Sequence, residues 1–161
     1  KIKLASIADI ISYRLKYENL ITKISIKSNI LRNIGKVQIH AYKNKLDKNI
    51  NYVITKGKFS KLKSTPIRVL STKLKTKNFN NNNEIKKSLK FLSKYKNFLL
   101  LIINSTNKVG DNNINTLRYY GIGAQIIKDL NVKKMILISR SKKKIIGLDG
   151  FGLKITKQII I

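Results

Sequence analysis

Few side chains in this sequence are equipped for chemistry. It has one histidine, His40, with 7 acidic residues and no cysteine among 161 residues. Without thiols, neither a disulfide nor a thiolate metal site can form. A lone histidine also excludes a histidine-rich metal site. No Ser/His/Asp constellation is visible, and His40 sits in an alternating stretch where a structural role is the ordinary one. Cations are abundant: 35 Lys+Arg give a formal net charge of +28. The runs Lys142-Lys143-Lys144 and Lys86-Lys87 could neutralise phosphates, although solvated faces are the more usual reading. Tyr119 and Tyr120 could stack on a base or form a pocket wall. Gly121-x-Gly123, placed at a helix start, could offer backbone N–H groups to an anion. Without a third glycine and an abutting strand it is not a dinucleotide fingerprint.

The charge has a simpler source than nucleic-acid binding. There are 30 Lys but only 5 Arg, with 28 Ile, 18 Asn and 4 Ala. Lys, Asn and Ile have codons built mainly from A and T, so an AT-rich genome raises all three together. Selection for phosphate binding would favour Arg as well, because its fork matches phosphate geometry. The run Asn80 to Asn83 fits the same bias. A hydrophobic content of 42% still supports a real core, and the length suits one domain, or one domain with an appendage. The longest apolar run, Phe98 to Ile103, is far short of the roughly 20 residues of a membrane span. The chain begins at Lys1 rather than Met, which leaves room for further N-terminal sequence.

The elements that must position these residues follow from periodicity. Ile7, Ile10, Ile11, Leu15 and Leu20 predict a helix from an N-cap at Ser6 to about Ile21. Lys23 to Ile34 reads as a basic connector. Val37, Ile39 and Ala41, then Tyr52 and Ile54, predict two antiparallel strands around a polar turn at Lys43 to Lys48. Ile67, Val69 and Leu70 suggest a third strand after Pro66. Thr76 to Asn83 is a polar loop, and Glu84 to Lys96 an amphipathic helix with Ile85, Leu89 and Leu92 inward. Phe98 to Ile103 is a buried strand, and Asn104 to Asn115 a second loop. Thr116 to Leu130 is a helix carrying Ile122, Ile126, Ile127 and Leu130. Met135 to Ile138 and Leu153 to Ile161 are strands. The expected class is α/β: a mixed sheet with packed helices, preceded by a short helical segment.

Two blocks carry a family resemblance. Tyr120-Gly121-Ile122-Gly123-Ala124-Gln125-Ile126-Ile127-Lys128-Asp129-Leu130 and the residues to Met135 closely resemble a signature block of GTP cyclohydrolase II. About twelve residues later, Gly147-Leu148-Asp149-Gly150-Phe151-Gly152-Leu153 resembles the next block of that family. At the N-terminus, Ile2 to Arg14 looks like the end of 3,4-dihydroxy-2-butanone 4-phosphate synthase. The two domains are joined in that order in the bifunctional riboflavin-synthesis protein. The implied division is residues 1–22 as the end of a synthase domain, 23–34 as connector and 35–161 as a degenerate GTP cyclohydrolase II-like domain.

The resemblance also implies what has changed at the site. In the family, zinc held by three cysteines activates water to open the guanine imidazole ring. One cysteine position falls on Lys73, in a block aligned with Leu70-Ser71-Thr72-Lys73. The Cys-x-Cys loop has shrunk to the asparagine run. The glutamine that reads the base falls on Glu84. A loop near the triphosphate aligns with Thr106-Asn107-Lys108-Val109, and the segment after it has contracted to Asp111 to Ile114. The proton-accepting aspartate has become Thr116, whose hydroxyl is no general base near neutral pH. Arg118 stands at the position of the catalytic nucleophile, Ser139 at that of a GTP-binding threonine and Lys144 at that of a GTP-binding lysine. Two readings follow: a residual anion pocket of Arg118, Ser139 and Lys144, or a vestigial site with solvated cations.

The expected function is therefore a place in riboflavin biosynthesis without GTP cyclohydrolase II chemistry in this segment. The parent chain would make 3,4-dihydroxy-2-butanone 4-phosphate from ribulose 5-phosphate, with magnesium in its synthase part. No cofactor, and no zinc, is expected here. A cytoplasmic homodimer without membrane or nucleic-acid contacts is implied, with GTP or phosphate binding as a residual property. The alternatives are a basic nucleic-acid- or nucleotide-binding module, or surviving GTP cyclohydrolase II activity.

Overall fold

Alternation of apolar and polar residues over Val37 to Ala41 and Tyr52 to Ile54 requires a sheet with one face turned inward. The computed structural model contains that sheet. It describes residues 7–45, 47, 49–72, 82–104, 113–142, 145 and 148–161, without the side chains of 7, 8, 11, 12, 15 and 113–118. The elements are α1 (Ile7–Tyr17), β1 (Ile21–Leu31), β2 (Gly35–Asn44), β3 (Ile50–Lys56), β4 (Thr65–Thr72), α2 (Asn83–Leu92), β5 (Phe98–Asn104), α3 (Asn113–Asp129), β6 (Lys134–Ser139) and β7 (Lys154–Ile160), with a 3₁₀ turn at Leu148–Phe151 before β7. The described strands form one mixed seven-stranded sheet in the order β1-β2-β3-β5-β4-β6-β7. β1, β2, β3 and β5 pair antiparallel in succession, while β5, β4, β6 and β7 run parallel.

The core is built on β5. Every residue from Phe98 to Ile103 is buried, because helices cover both faces of this central strand. Leu99, Leu101 and Ile103 cluster with Ile122 and Ile126 of α3. Phe98, Leu100 and Ile102 cluster with Ile85 and Leu92 of α2 on the other face. Each fully buried leucine stabilises the fold by about 1.5–3 kcal/mol relative to exposure. Asn82 caps α2, its side chain accepting from the N–H groups of Glu84 and Ile85 at 3.0 and 3.2 Å.

The elements differ from expectation at several ends. Lys23 to Ile34, expected as a connector, contains β1, which pairs with β2 from Ile21 opposite Asn44 to Leu31 opposite Gly35. The first helix stops at Tyr17, so that Ile21 starts this strand. α2 ends at Leu92 rather than Lys96, and the N–H groups of Ser93 and Tyr95 close its last turns on Leu89 and Leu92. α3 begins at Asn113, inside the segment expected as a loop. Residues 76–81 and 105–112 of the two expected loops lie outside the described residues.

α1 packs on α3. The side chain of Gln125 holds the α1–β1 turn, accepting from the N–H of Leu20 at 3.0 Å and donating to the carbonyl of Glu18 at 2.7 Å.

Candidate functional site

The order of connections creates the site. From β4 the chain crosses through α2 to β5, and from β5 through α3 back past β4 to β6. The two helices lie on opposite faces, so the connections diverge between β4 and β6. In sheets of this kind, ligands bind beyond the carboxyl ends of the strands at such a switch point. A cavity of about 430 Å³ opens there. Its walls come from the ends of β4 and β6, the first turn of α2, the middle of α3 and Leu148. Most of the wall is apolar, from residues such as Ile103, Ile127, Met135 and Leu137, with Tyr119 and Tyr120 contributed by α3. That volume is within the usual range for small-molecule pockets.

Among the described residues, three charges stand at this cavity. Arg68, on β4, is only 6% exposed, and its Nε and Nη1 have no hydrogen-bond partner among the described residues. Burial lowers its pKa, Arg140 lowers it further, and Glu84 acts in the opposite direction. A guanidinium nevertheless remains charged in proteins. Glu84, in the first turn of α2, forms an ion pair with Arg140, which follows β6. Ser139 ends β6 and also lines the cavity; its hydroxyl donates to the carbonyl of Ser141 at 2.7 Å.

The sequence-derived residues fall unevenly on this geometry. Ser139 and Glu84 meet at the cavity, together with Tyr119 and Tyr120. Arg118 lies on α3, but its side chain and those of residues 113–117, Thr116 included, are outside the description. Lys73, Thr106 to Val109, Asp111, Lys143 and Lys144 lie outside the described residues. Gly121 and Gly123 are not at a helix start, because α3 begins eight residues earlier at Asn113. Their N–H groups therefore belong to the body of the helix rather than to its free first turn. Gly123 instead permits close packing: a Cβ there would meet Leu101 Cδ2 at 3.3 Å and Ile103 Cδ1 at 3.5 Å. His40 is buried in the sheet, its Nε2 3.1 Å from Thr55 Oγ1. Sequence reasoning missed Arg68 and Arg140. The available signal was an arginine between Ile67 and Val69, inside a run otherwise suited to a buried strand.

The GTP cyclohydrolase II family profile matches residues 103–160, which span α3, β6 and β7. The riboflavin biosynthesis protein RibBA of Aquifex aeolicus is 30% identical, with 99% of this chain and 47% of that protein covered. The chain contains a GTP cyclohydrolase II-like domain. Along nearly its whole length the chain is similar to proteins named for riboflavin biosynthesis. A 3,4-dihydroxy-2-butanone 4-phosphate synthase of Photobacterium phosphoreum is 28% identical over 98% of this chain and 48% of that protein. The crystal structure of RibBX from A. baumannii, titled a two domain 3,4-dihydroxy-2-butanone 4-phosphate synthase, has the same fold. It superposes with a TM-score of 0.73 at 23% identity, covering 96% of this chain and 44% of that one. The chain thus spans about half the length of the curated relatives it matches.

The residues of this GTP cyclohydrolase II-like domain do not fit the family's zinc. Three thiolates are required and the sequence has no cysteine. Among the described residues no group of three His, Cys, Asp or Glu side chains could hold a metal instead. The cavity itself persists. Its floor is made by strands and helices whose packing does not depend on metal ligands. Among the described residues no helix is long and apolar enough to cross a membrane.

Proposed function

We propose that this chain is the C-terminal part of a riboflavin-biosynthesis protein in which the GTP cyclohydrolase II-like domain does not hydrolyse GTP. The activity of the whole protein is that of a 3,4-dihydroxy-2-butanone 4-phosphate synthase. It makes that product and formate from ribulose 5-phosphate, with magnesium, in residues outside this sequence. The observation that carries the reading is the absence of every cysteine from a domain whose family chemistry rests on three of them. The Glu84–Arg140 ion pair supports it, since a carboxylate tied to a cation stands where the family places its base-reading glutamine. Two relatives named as synthases match nearly all of this chain, in keeping with a domain that accompanies synthase activity. The domain's role is then structural or regulatory, within a cytoplasmic homodimer.

The test is a pair of assays on the full-length protein. With ribulose 5-phosphate and magnesium, formate and the four-carbon phosphate should form. With GTP and added zinc, neither formate nor pyrophosphate should be released above the no-protein rate. Stoichiometric zinc uptake with turnover of GTP would overturn the proposal, as would an inactive synthase part.

A further inference from the structure

A buried arginine with unmade hydrogen bonds is costly to keep. Taking a charge out of water is repaid only by good partners, and an apolar side chain of similar volume is often at least as stable in its place. Arg68 has Ile67 and Val69 beside it in β4, lines the cavity, and leaves Nε and Nη1 without partners among the described residues. Such a departure from local consistency is expected where a site serves a ligand. Arg140 stands close enough to influence the Arg68 charge, yet its own charge is taken by Glu84. Two guanidinium groups facing one carboxylate leave a single positive charge uncompensated among the described side chains of the cavity. The remaining wall is mainly aliphatic and aromatic.

We propose that this cavity binds a small organic carboxylate with an apolar or aromatic body, with Arg68 as its charged anchor and the Glu84–Arg140 pair as a latch. The ligand carboxylate accepts from the guanidinium of Arg68, and the body packs against Leu70 and Ile138, which line the cavity on the same face of the sheet as Arg68. One uncompensated charge among the described side chains matches a monoanion. It does not match the several negative charges of a nucleoside triphosphate, and Glu84 at the same cavity opposes added negative charge. Arg140 is exposed on its pair with Glu84, so it can turn from Glu84 to the entering carboxylate at little cost, because exposed ion pairs are weak. This inference deepens the reading of the domain as non-catalytic and rests on it.

Calorimetric titration of the full-length protein, with thermal melts alongside, tests the assignment using 1-naphthoate, its neutral amide, phenyl phosphate and GTP. Naphthoate should bind at one site and raise the Tm, and the amide should bind at least about tenfold more weakly. Arg68→Met should weaken naphthoate by a similar factor while melting, without ligand, at or above the wild-type Tm. Glu84→Gln should bind naphthoate more tightly, because it frees Arg140 and removes the opposing charge. This second variant changes a side chain at the cavity rim and keeps the test open if Arg68→Met does not fold. The proposal is overturned by no naphthoate binding, by equal binding of the amide or of the Arg68 variant, or by weaker binding to Glu84→Gln. Tighter binding of phenyl phosphate or GTP than of naphthoate also overturns it. Failure here without GTP turnover leaves the non-catalytic reading standing; GTP turnover removes that reading itself.

Discussion

The hydroxyl of Thr55 donates to the carbonyl of Gln38 at 3.4 Å, which leaves its oxygen to accept from His40 Nε2–H. His40 Nδ1 is then the bare nitrogen, buried with no described partner. Burial lowers the pKa of this ring, Lys23 lowers it further, and Asp129 raises it less. Tyr42 completes the surroundings: its hydroxyl donates to Asp129 at 2.7 Å, and Lys23 pairs with the same carboxylate at 2.6 Å. A histidine whose folded value lies below its unfolded value resists protonation in the native state. The unfolded chain therefore takes up its proton first as pH falls. The stability from neutral His40 is complete above the unfolded value of about 6.5 and declines below it, by at most about 1.4 kcal/mol per pH unit. Urea midpoints should fall between pH 7.5 and 5.5, and His40→Gln should flatten that fall. An unchanged slope in the variant would show that another group is responsible. The same scale explains what sequence could not reveal about Arg68. Its place between Ile67 and Val69 was a local signal, but that the strand is buried shows only once β5 and β6 are seen to flank it.

At the scale of elements, Gly123 sets how closely α3 approaches β5. With a Cβ already 3.3 Å from Leu101 Cδ2, a larger side chain has to displace Leu101 or lift the helix from the strand. Gly123→Leu should destabilise the protein by about 1–3 kcal/mol, the usual cost of overpacking a filled core. Chemical denaturation measures this directly, and a wild-type midpoint would mean that α3 moves freely over the sheet. The signature block containing Gly123 was readable because its apolar residues recur at helical spacing. Its glycines lie in the body of α3, which begins at Asn113. β5 was equally readable, since burial on both faces produces an uninterrupted apolar run. β1 was not. Its isoleucines alternate, but Ile24, Ile26 and Ile30 are 50%, 52% and 79% exposed, and lysine, serine and asparagine fill the other positions. In an edge strand with little burial the alternation is interrupted, here by Ser28, and is easily read as a polar connector. The parallel pairing of β4 with both β5 and β6 is a long-range property that local pattern cannot carry, and the cavity depends on it.

For the whole molecule, 35 cations against 7 anions must affect stability even where they bind nothing. Folding brings these lysines closer together than they are in the extended chain, so the compact state carries more self-repulsion. Salt weakens that repulsion, since the screening length is about 10 Å at 0.1 M and shortens as salt is added. Salt also weakens the ion pairs Arg14–Glu18, Lys23–Asp129 and Arg140–Glu84. Exposed pairs of this kind contribute about 0–1 kcal/mol each, too little to offset a net charge of +28. The Tm should therefore rise as sodium chloride increases from about 20 to 200 mM, a range over which the screening length shortens about threefold. The rise should be nearly the same with potassium chloride, because screening depends on ionic strength rather than on a bound ion. A Tm that falls with salt would mean that the lysines are arranged to find partners in the fold. That result would make the charge a selected feature of this domain rather than a consequence of its nucleotide composition.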